Sequence, residues 1–106
     1  METKKFISRA EKLLVRLSEI EKSPAELGEC FMGYDVYPNL NELCRDCIHL
    51  VYAYDANLPL LSEIREICKR PTRLIYPYGE NSDWQDFFAE FRSLIQYFIR
   101  YLKDFG

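Results

Sequence analysis

The residue types best suited to acid–base chemistry in this chain are its single histidine, His49, and an arginine one helical turn before it, Arg45. Residues at positions i and i+4 lie on the same face of a helix. On such a face a histidine can act as general base or acid on the 2′-hydroxyl and the leaving oxygen of RNA, while an arginine stabilises the charge that develops on phosphorus. Arg45 and His49 are therefore candidate catalytic residues of a metal-independent ribonuclease. The alternative is a solvated helix face on which Asp46 and His49 form a weak i,i+3 pair.

A second group of residues suited to phosphate chemistry surrounds the passage RLIYPYGENSDW, residues 73 to 84. Basic side chains can hold phosphates while tyrosines stack on bases, which is the composition of a platform for nucleotides or single strands. The same cations can also interact with the carboxyl end of a helix, and tyrosines can pack a loop onto a bundle. Both interpretations stay open for the predicted ligand-binding residues, which are Lys69, Arg70, Arg73, Tyr76 and Tyr78.

Cys44 and Cys47 form a CxxC motif with His49 close behind, a pattern that can bind zinc or do redox chemistry. On a helix the two cysteines share a face, whereas His49 points about 200° away from Cys47. The other cysteines, Cys30 and Cys68, form no second CxxC. We therefore expect reduced thiols that pack as small hydrophobic residues, and no metal site. The sequence has no phosphate loop or nucleophile elbow, so no cofactor is predicted.

Length and composition indicate a single domain over residues 1 to 106. Of these residues 48% are hydrophobic and 29% are charged, which is typical of a folded protein. The net charge of −3 gives no chain-wide attraction to nucleic acid or anionic membranes, so such binding needs a local basic patch. Charged residues interrupt every apolar stretch, and no apolar segment follows the basic N-terminus. We therefore expect a cytoplasmic protein without a membrane span or signal peptide.

The spacing of apolar residues predicts a first helix over residues 3–22. Its apolar stripe steps by four and three residues, as in a helix that faces a bundle. Ser23 is expected to cap a short helix that begins at Pro24, and the following residues up to Pro38 are expected to form an irregular loop. The predicted stripe consists of Phe6, Ala10, Leu13, Leu17 and Ile20, with Ile7 and Leu14 beside it.

Two further helices are predicted in the middle of the chain. Asn39 is expected to cap a helix over residues 40–54. A third helix is expected over residues 59–69, with Pro71 blocking its continuation. Their buried sides are predicted to consist of Leu40, Leu43, Cys44, Cys47, Ile48, Val51, Tyr54, Leu60, Leu61, Ile64, Ile67 and Cys68.

The last helix has the strongest pattern. Ser82 and Gln85 form a capping box at its start, and an unbroken apolar seam then steps by four and three residues from Trp84 to Phe105. Phe87, Leu94, Ile99 and Tyr101 widen this seam. A helix that is apolar over more than half of its circumference is either central in a bundle or shared with another chain. We therefore predict an all-α fold, a three- to four-helix antiparallel bundle, that forms a homodimer through the last helix.

Three runs of the sequence resemble the C-terminal half of HEPN-domain proteins, namely NLNELCRDC (39–47), DANLPLLSEIREI (55–67) and PTRLIYPYGENSDWQDFFAEFRSLIQYFIRYL (71–102). That family has there a short helix after a loop, a third helix, a segment of the form P-T-R-x-x-Y-P and a long final helix. The matching positions of the segment are Pro71, Thr72, Arg73, Tyr76 and Pro77.

The resemblance implies a helical bundle, commonly a homodimer, that is often encoded with a minimal nucleotidyltransferase in toxin-antitoxin or defence modules. Some members of the family are ribonucleases. Their catalytic signature is an arginine and a histidine separated by four to six residues, whereas three residues separate Arg45 from His49. The resemblance therefore does not assign catalysis to this pair.

Three functions stay open on the sequence. The first is a small binding or regulatory protein, HEPN-like, that pairs with a nucleotidyltransferase or another protein and takes a nucleotide or RNA. The second is the ribonuclease that uses Arg45 and His49. The third is an acidic immunity or inhibitor protein that covers a basic partner.

Overall fold

The computed structural model of the chain describes residues 2–27, 32–74 and 81–105, and within them the side chains of residues 3–22, 39–74 and 82–105. These residues form helices and short turns, with no β-strand among them. The predicted all-α class is therefore confirmed. The helices are α1 (Glu2–Leu27), α2 (Met32–Tyr54), α3 (Pro59–Ile67), α4 (Arg70–Leu74) and α5 (Asn81–Phe105).

Helices α1 and α2 lie side by side and run in opposite directions. Phe6, near the start of α1, meets Tyr54 at the end of α2 with ring centroids 5.4 Å apart. Further along α1, the guanidinium of Arg16 donates a hydrogen bond of 2.8 Å to Asp46, which lies earlier in α2. The two helices are therefore antiparallel neighbours, joined by core packing and by an ion pair at their rim.

Helix α5 packs against α1 on its other side. The Tyr54 ring contacts Phe98 as well as Phe6, so the start of α1 lies beside the last turns of α5. Near the far end of α1, Glu21 pairs with Arg92 of α5. These contacts make α5 antiparallel to α1 and parallel to α2.

Helices α3 and α4 complete the bundle, because both pack against α2 and against α5. The turn after α2 closes on Asp55, whose side chain accepts a 2.9 Å hydrogen bond from the N–H of Asn57. Pro59 then opens α3, where the missing proline N–H removes no helical hydrogen bond. At the end of α4, the Leu74 carbonyl accepts a 3.1 Å hydrogen bond from the indole N–H of Trp84, which ties α4 to the first turn of α5. The result is the predicted antiparallel bundle of four helices, with α4 as a short continuation of α3.

One hydrophobic core joins all of these helices. The predicted apolar stripes of α1, α2 and α3 are confirmed as buried or partly buried. Helix α5 contributes most of the large side chains, and its wide apolar face is explained within one chain because the helix packs against α1, α3 and α4. Phe105 is the exception to the predicted seam, since 75% of it is exposed. The buried residues of α5 are Trp84, Phe87, Phe88, Phe91, Ile95, Phe98, Ile99 and Leu102.

Two predicted boundaries near prolines are wrong. Ser23 and Pro24 do not start a new helix, because both lie inside α1. Asn39 does not cap α2, which already begins at Met32 and continues through Pro38. A proline removes one backbone donor and disfavours helix in the preceding residue, which is why both were expected at helix ends. The residues that follow each proline include strong helix formers, and the helix continues through them.

Two boundaries later in the chain also differ from the prediction. Helix α3 ends at Ile67 instead of residue 69, and after a two-residue turn the chain forms α4, with Pro71 buried in its first turn. Helix α5 begins at Asn81, so Ser82 lies inside the helix and is not its N-cap. A capping-box pattern places a helix start only to within one or two residues. Among the described helices, none is long and apolar enough to cross a membrane.

Candidate functional site

The two predicted catalytic residues lie on the exposed side of α2, one turn apart. Both line a groove of about 540 Å³ between α2 and α3. The opposite wall belongs to α3 and the turn that follows it, and it brings Arg65 and Lys69 to the same groove. The lining residues are Asn41, Cys44, Arg45, Ile48, His49, Ser62, Arg65, Glu66, Cys68 and Lys69.

The charges of this α2/α3 groove are largely uncompensated. Arg45, His49 and Arg65 form no hydrogen bond or ion pair with any of the side chains that the structure describes. Lys69 pairs with Glu66 at 3.1 Å, but both side chains are more than half exposed, so water weakens this pair. The groove thus holds three permanent cations and a histidine against one carboxylate.

Three arginines elsewhere in the described bundle do pair with a carboxylate of another helix. Arg16 pairs with Asp46, Arg70 with Glu90, and Arg92 with Glu21. Each of these pairs joins two helices, which gives the arginine a structural role. Arg45 and Arg65 have no such role, so their charge is available to a ligand.

Asp46 pairs with Arg16 and not with His49. Its carboxylate accepts a hydrogen bond of 2.8 Å from Arg16, and Glu42 lies 4.0 Å from the same guanidinium. The expected Asp46–His49 pair is therefore not formed. The imidazole has no described carboxylate to orient it, which general base catalysis by histidine commonly uses.

The floor of the groove is apolar and includes two cysteines. Cys44 is buried, Cys68 is partly buried, and both are free thiols, as is Cys47 deeper in the core. A hydrogen bond to Cys44, together with burial, raises the pKa of Cys68. Burial, with a smaller effect of Cys44, raises the pKa of Cys47 to about 12. Thiols held in the protonated form are poor nucleophiles, so the floor supplies packing and not covalent chemistry.

No group of three or more histidine, cysteine, aspartate or glutamate side chains converges on a metal position in the described part of the chain. Cys44 and Cys47 share a face of α2, as the helical spacing predicts, but that face is buried in the core. Cys30 lies outside the described residues.

The predicted ligand-binding set does not come together in one place. Lys69 lines the α2/α3 groove, whereas Arg70 and Arg73 line a separate groove of about 660 Å³ between the α3–α4 segment and α5. Arg70 is engaged there by Glu90, whose hydrogen bond raises the pKa of the guanidinium. Carboxylates outnumber cations around this second groove. Tyr76 and Tyr78 lie outside the described residues.

Sequence reasoning missed Arg65. It lies four residues before Lys69, at an exposed position of α3. This i,i+4 spacing of two cations is the signal that could have identified it. Its proximity to Arg45 depends on the antiparallel packing of α3 on α2, which sequence spacing does not give.

Comparison with protein-family models, with curated proteins and with solved structures finds no match to this chain.

Proposed function

We propose that this chain is a small binding or regulatory protein that holds a phosphate-bearing ligand, a nucleotide or RNA, in the α2/α3 groove. One observation carries the proposal. In a chain of net charge −3, Arg45 and Arg65 face one groove from two helices, and neither has a described carboxylate partner. Two guanidinium groups that line one groove and pair with no described carboxylate favour an anion between them, since each can form charge-assisted hydrogen bonds to phosphate oxygens.

The size and lining of the groove support a nucleotide. Its volume of about 540 Å³ lies within the range of small-molecule sites. Ile48 and the partly buried Cys68 give it an apolar floor, on which a base or sugar can pack while the phosphates meet the cations at the rim. His49 adds a ring that can stack on a base or donate a hydrogen bond to phosphate.

Calorimetric titration of the purified protein with ADP, AMP and inorganic phosphate tests this proposal. Charge-assisted hydrogen bonds contribute about 1.5–3 kcal/mol each, so the double variant Arg45→Ala/Arg65→Ala should bind at least about tenfold more weakly than the parent. The matched control is Arg100→Ala/Lys103→Ala, which removes the same charge from exposed positions of α5. Equal affinities of the two variants, or no binding of any probe to the parent, would contradict the proposal.

A metal-independent ribonuclease is the second candidate, and the convergence of Arg45, His49 and Lys69 on one groove favours it. His49 would take the proton of the 2′-hydroxyl as that oxygen attacks phosphorus, and Lys69 would protonate the departing 5′-oxygen. Arg45 would stabilise the charge on the phosphorane. The expected products are a 2′,3′-cyclic phosphate and a free 5′-hydroxyl.

Incubation of RNA with the protein in the presence of EDTA distinguishes the two candidates. Cleavage that disappears in His49→Ala, while RNA binding remains, would establish the ribonuclease. A parent protein that binds RNA but leaves it intact supports the binding role.

The proposal also includes partners. A HEPN-like component paired with a nucleotidyltransferase or another protein, as in toxin-antitoxin modules, would be isolated from its native host with a companion in a fixed ratio. Purification of the tagged chain from that host, followed by mass spectrometry, tests this part.

A homodimer through α5 remains part of the proposal. It would have to use Tyr97 and Phe105, which are 54% and 75% exposed, because most other apolar residues of α5 are buried within the chain. Light scattering should therefore show a dimer that Tyr97→Glu/Phe105→Glu converts to a monomer. A monomeric parent at high concentration would remove this part of the proposal.

A further inference from the structure

A second basic groove lies on the other side of α2. It has a volume of about 480 Å³, runs between α1 and α2, and is lined by Arg9, Lys12 and Arg16 from α1 and by Asp46 from α2. Its charge pattern matches that of the α2/α3 groove, with three permanent cations against one carboxylate. The two grooves lie on opposite sides of the same helix.

Two of the cations in this α1/α2 groove are available to a ligand. Arg16 is engaged by Asp46 and lies near Glu42. Arg9 and Lys12, by contrast, have no hydrogen bond or ion pair with any described residue, and both are exposed. The α1/α2 groove therefore presents two free positive charges, as the α2/α3 groove does with Arg45 and Arg65.

His49 connects the two grooves, because its side chain lines both of them. Tyr52 follows three residues later on the exposed side of α2, and 55% of it is exposed. His49 thus has free cations on both sides, and the exposed Tyr52, three residues further along α2, offers a ring on which a base can stack.

From this arrangement we infer that the ligand is a single-stranded nucleic acid that crosses α2 over His49, with phosphates bound by Arg45 and Arg65 on one side and by Arg9 and Lys12 on the other. The inference rests on the proposed function of the α2/α3 groove and extends it. A helix with its side chains is about 10 Å wide, so one phosphate group cannot occupy both grooves. A single-stranded nucleic acid can occupy both grooves with successive phosphates, and its unpaired bases are free to stack on Tyr52.

The test is fluorescence anisotropy with labelled oligouridylates of two and eight nucleotides and with an eight-nucleotide oligodeoxyuridylate, which lacks only the 2′-hydroxyls. The parent should bind the octanucleotide at least about tenfold more tightly than the dinucleotide, because added charge-assisted contacts are worth 1.5 kcal/mol or more. Arg9→Ala/Lys12→Ala should abolish this gain with length while changing dinucleotide affinity less than about twofold. In the same variant, the slope of the logarithm of the octanucleotide binding constant against the logarithm of salt concentration should fall in magnitude by about 0.7 for each phosphate contact removed.

The matched control is again Arg100→Ala/Lys103→Ala, which changes the net charge equally but should keep the gain with length. Circular dichroism of each variant verifies that the helices are intact. Equal binding of the two octanucleotides supports a single-stranded ligand with either sugar, and tighter binding of the ribo-octanucleotide supports RNA through recognition of the 2′-hydroxyl.

The failures of the two proposals are distinguishable. If the parent binds ADP or the dinucleotide but gains nothing with length, the inference is overturned and the proposed function of the α2/α3 groove stands. The inference is also overturned if Arg9→Ala/Lys12→Ala keeps the gain that the parent shows. If no nucleotide or oligonucleotide binds the parent, both proposals are overturned.

Discussion

Replacing Phe91 with alanine tests whether α5 is the central helix of a single chain. Phe91 is 0% exposed, and its ring centroid lies 5.6 Å from that of Phe87. Truncating a buried phenylalanine to alanine costs about 3–5 kcal/mol, because apolar contacts are lost and a cavity remains. The total free energy of unfolding of a single domain is about 5–15 kcal/mol, so Phe91→Ala should remove a large part of it. In a domain of this size, each kcal/mol lost lowers the melting temperature by about 4 °C or more, so a loss of about 3 kcal/mol or more should lower it by at least about 12 °C.

The matched substitution is Phe105→Ala on the same helix. Phe105 is 75% exposed and contacts Tyr101, with ring centroids 5.2 Å apart, so its loss should cost less than about 1 kcal/mol. Urea denaturation followed by circular dichroism measures both costs, at two protein concentrations. Similar costs for the two variants would refute the reasoning, since the bundle would then enclose Phe91 no more than it encloses Phe105. A cost of Phe105→Ala that depends on protein concentration would instead report the proposed homodimer.

Three further predictions follow from single contacts. Trp84→Phe removes the hydrogen bond to the Leu74 carbonyl and should lower the free energy of unfolding by about 1–3 kcal/mol in urea denaturation. A double-mutant cycle on Arg16 and Asp46 should give a coupling below about 1 kcal/mol, because both side chains are partly exposed; a larger value would show that the rim pair matters more than its exposure allows. Folding raises the pKa of Cys47 from 9.0 to about 12, so the unfolded chain releases this proton first and the free energy of unfolding should fall as pH rises from about 9 toward 12. Denaturation at pH 8.5 and 10.5 should show a smaller fall in Cys47→Ala, and an identical fall would contradict the assignment.

The core of this bundle is predictable from sequence because it depends on periodicity. The steps of four and three from Trp84 to Leu102 place those residues on one side of a helix whatever its neighbours are, and all of them are buried. Phe105 continues the same pattern but lies in the last turn, where little of the bundle remains to cover it. Periodicity therefore predicts the face of a helix and not the length over which a neighbour covers it.

The helix ends were harder to predict. A proline indicates a helix end from local sequence alone, whereas the observed ends also depend on how the helices pack. Pro24 and Pro38 are unfavourable within a helix, yet α1 and α2 continue through them. The single-chain explanation for the wide apolar face of α5 likewise came only with the packing of α1, α3 and α4 around it. The sequence pattern of α5 fits both a central helix and a helix shared with another chain, and the homodimer through this helix stays a prediction.

The candidate site could be predicted only in part for the same reason. Arg45 and His49 are neighbours in sequence, and their common face follows from helical spacing. Arg65 and Arg9 reach the two sides of α2 through the packing of α3 and α1, across sequence separations that spacing does not relate. The predicted ligand-binding residues do not share one groove. Because of the turn between α3 and α4, Lys69 lines the α2/α3 groove, whereas Arg70 and Arg73 line the groove beside α5.

Nuclear magnetic resonance titration of the isotope-labelled chain with ADP tests the central claim most directly, because it shows where the ligand binds. The account predicts concentration-dependent shifts of the side-chain signals of Arg45, His49 and Arg65, with the signals of Arg100 on α5 unchanged. Shifts confined to Arg73 in the groove beside α5, or no shifts at all at millimolar ADP, would contradict it.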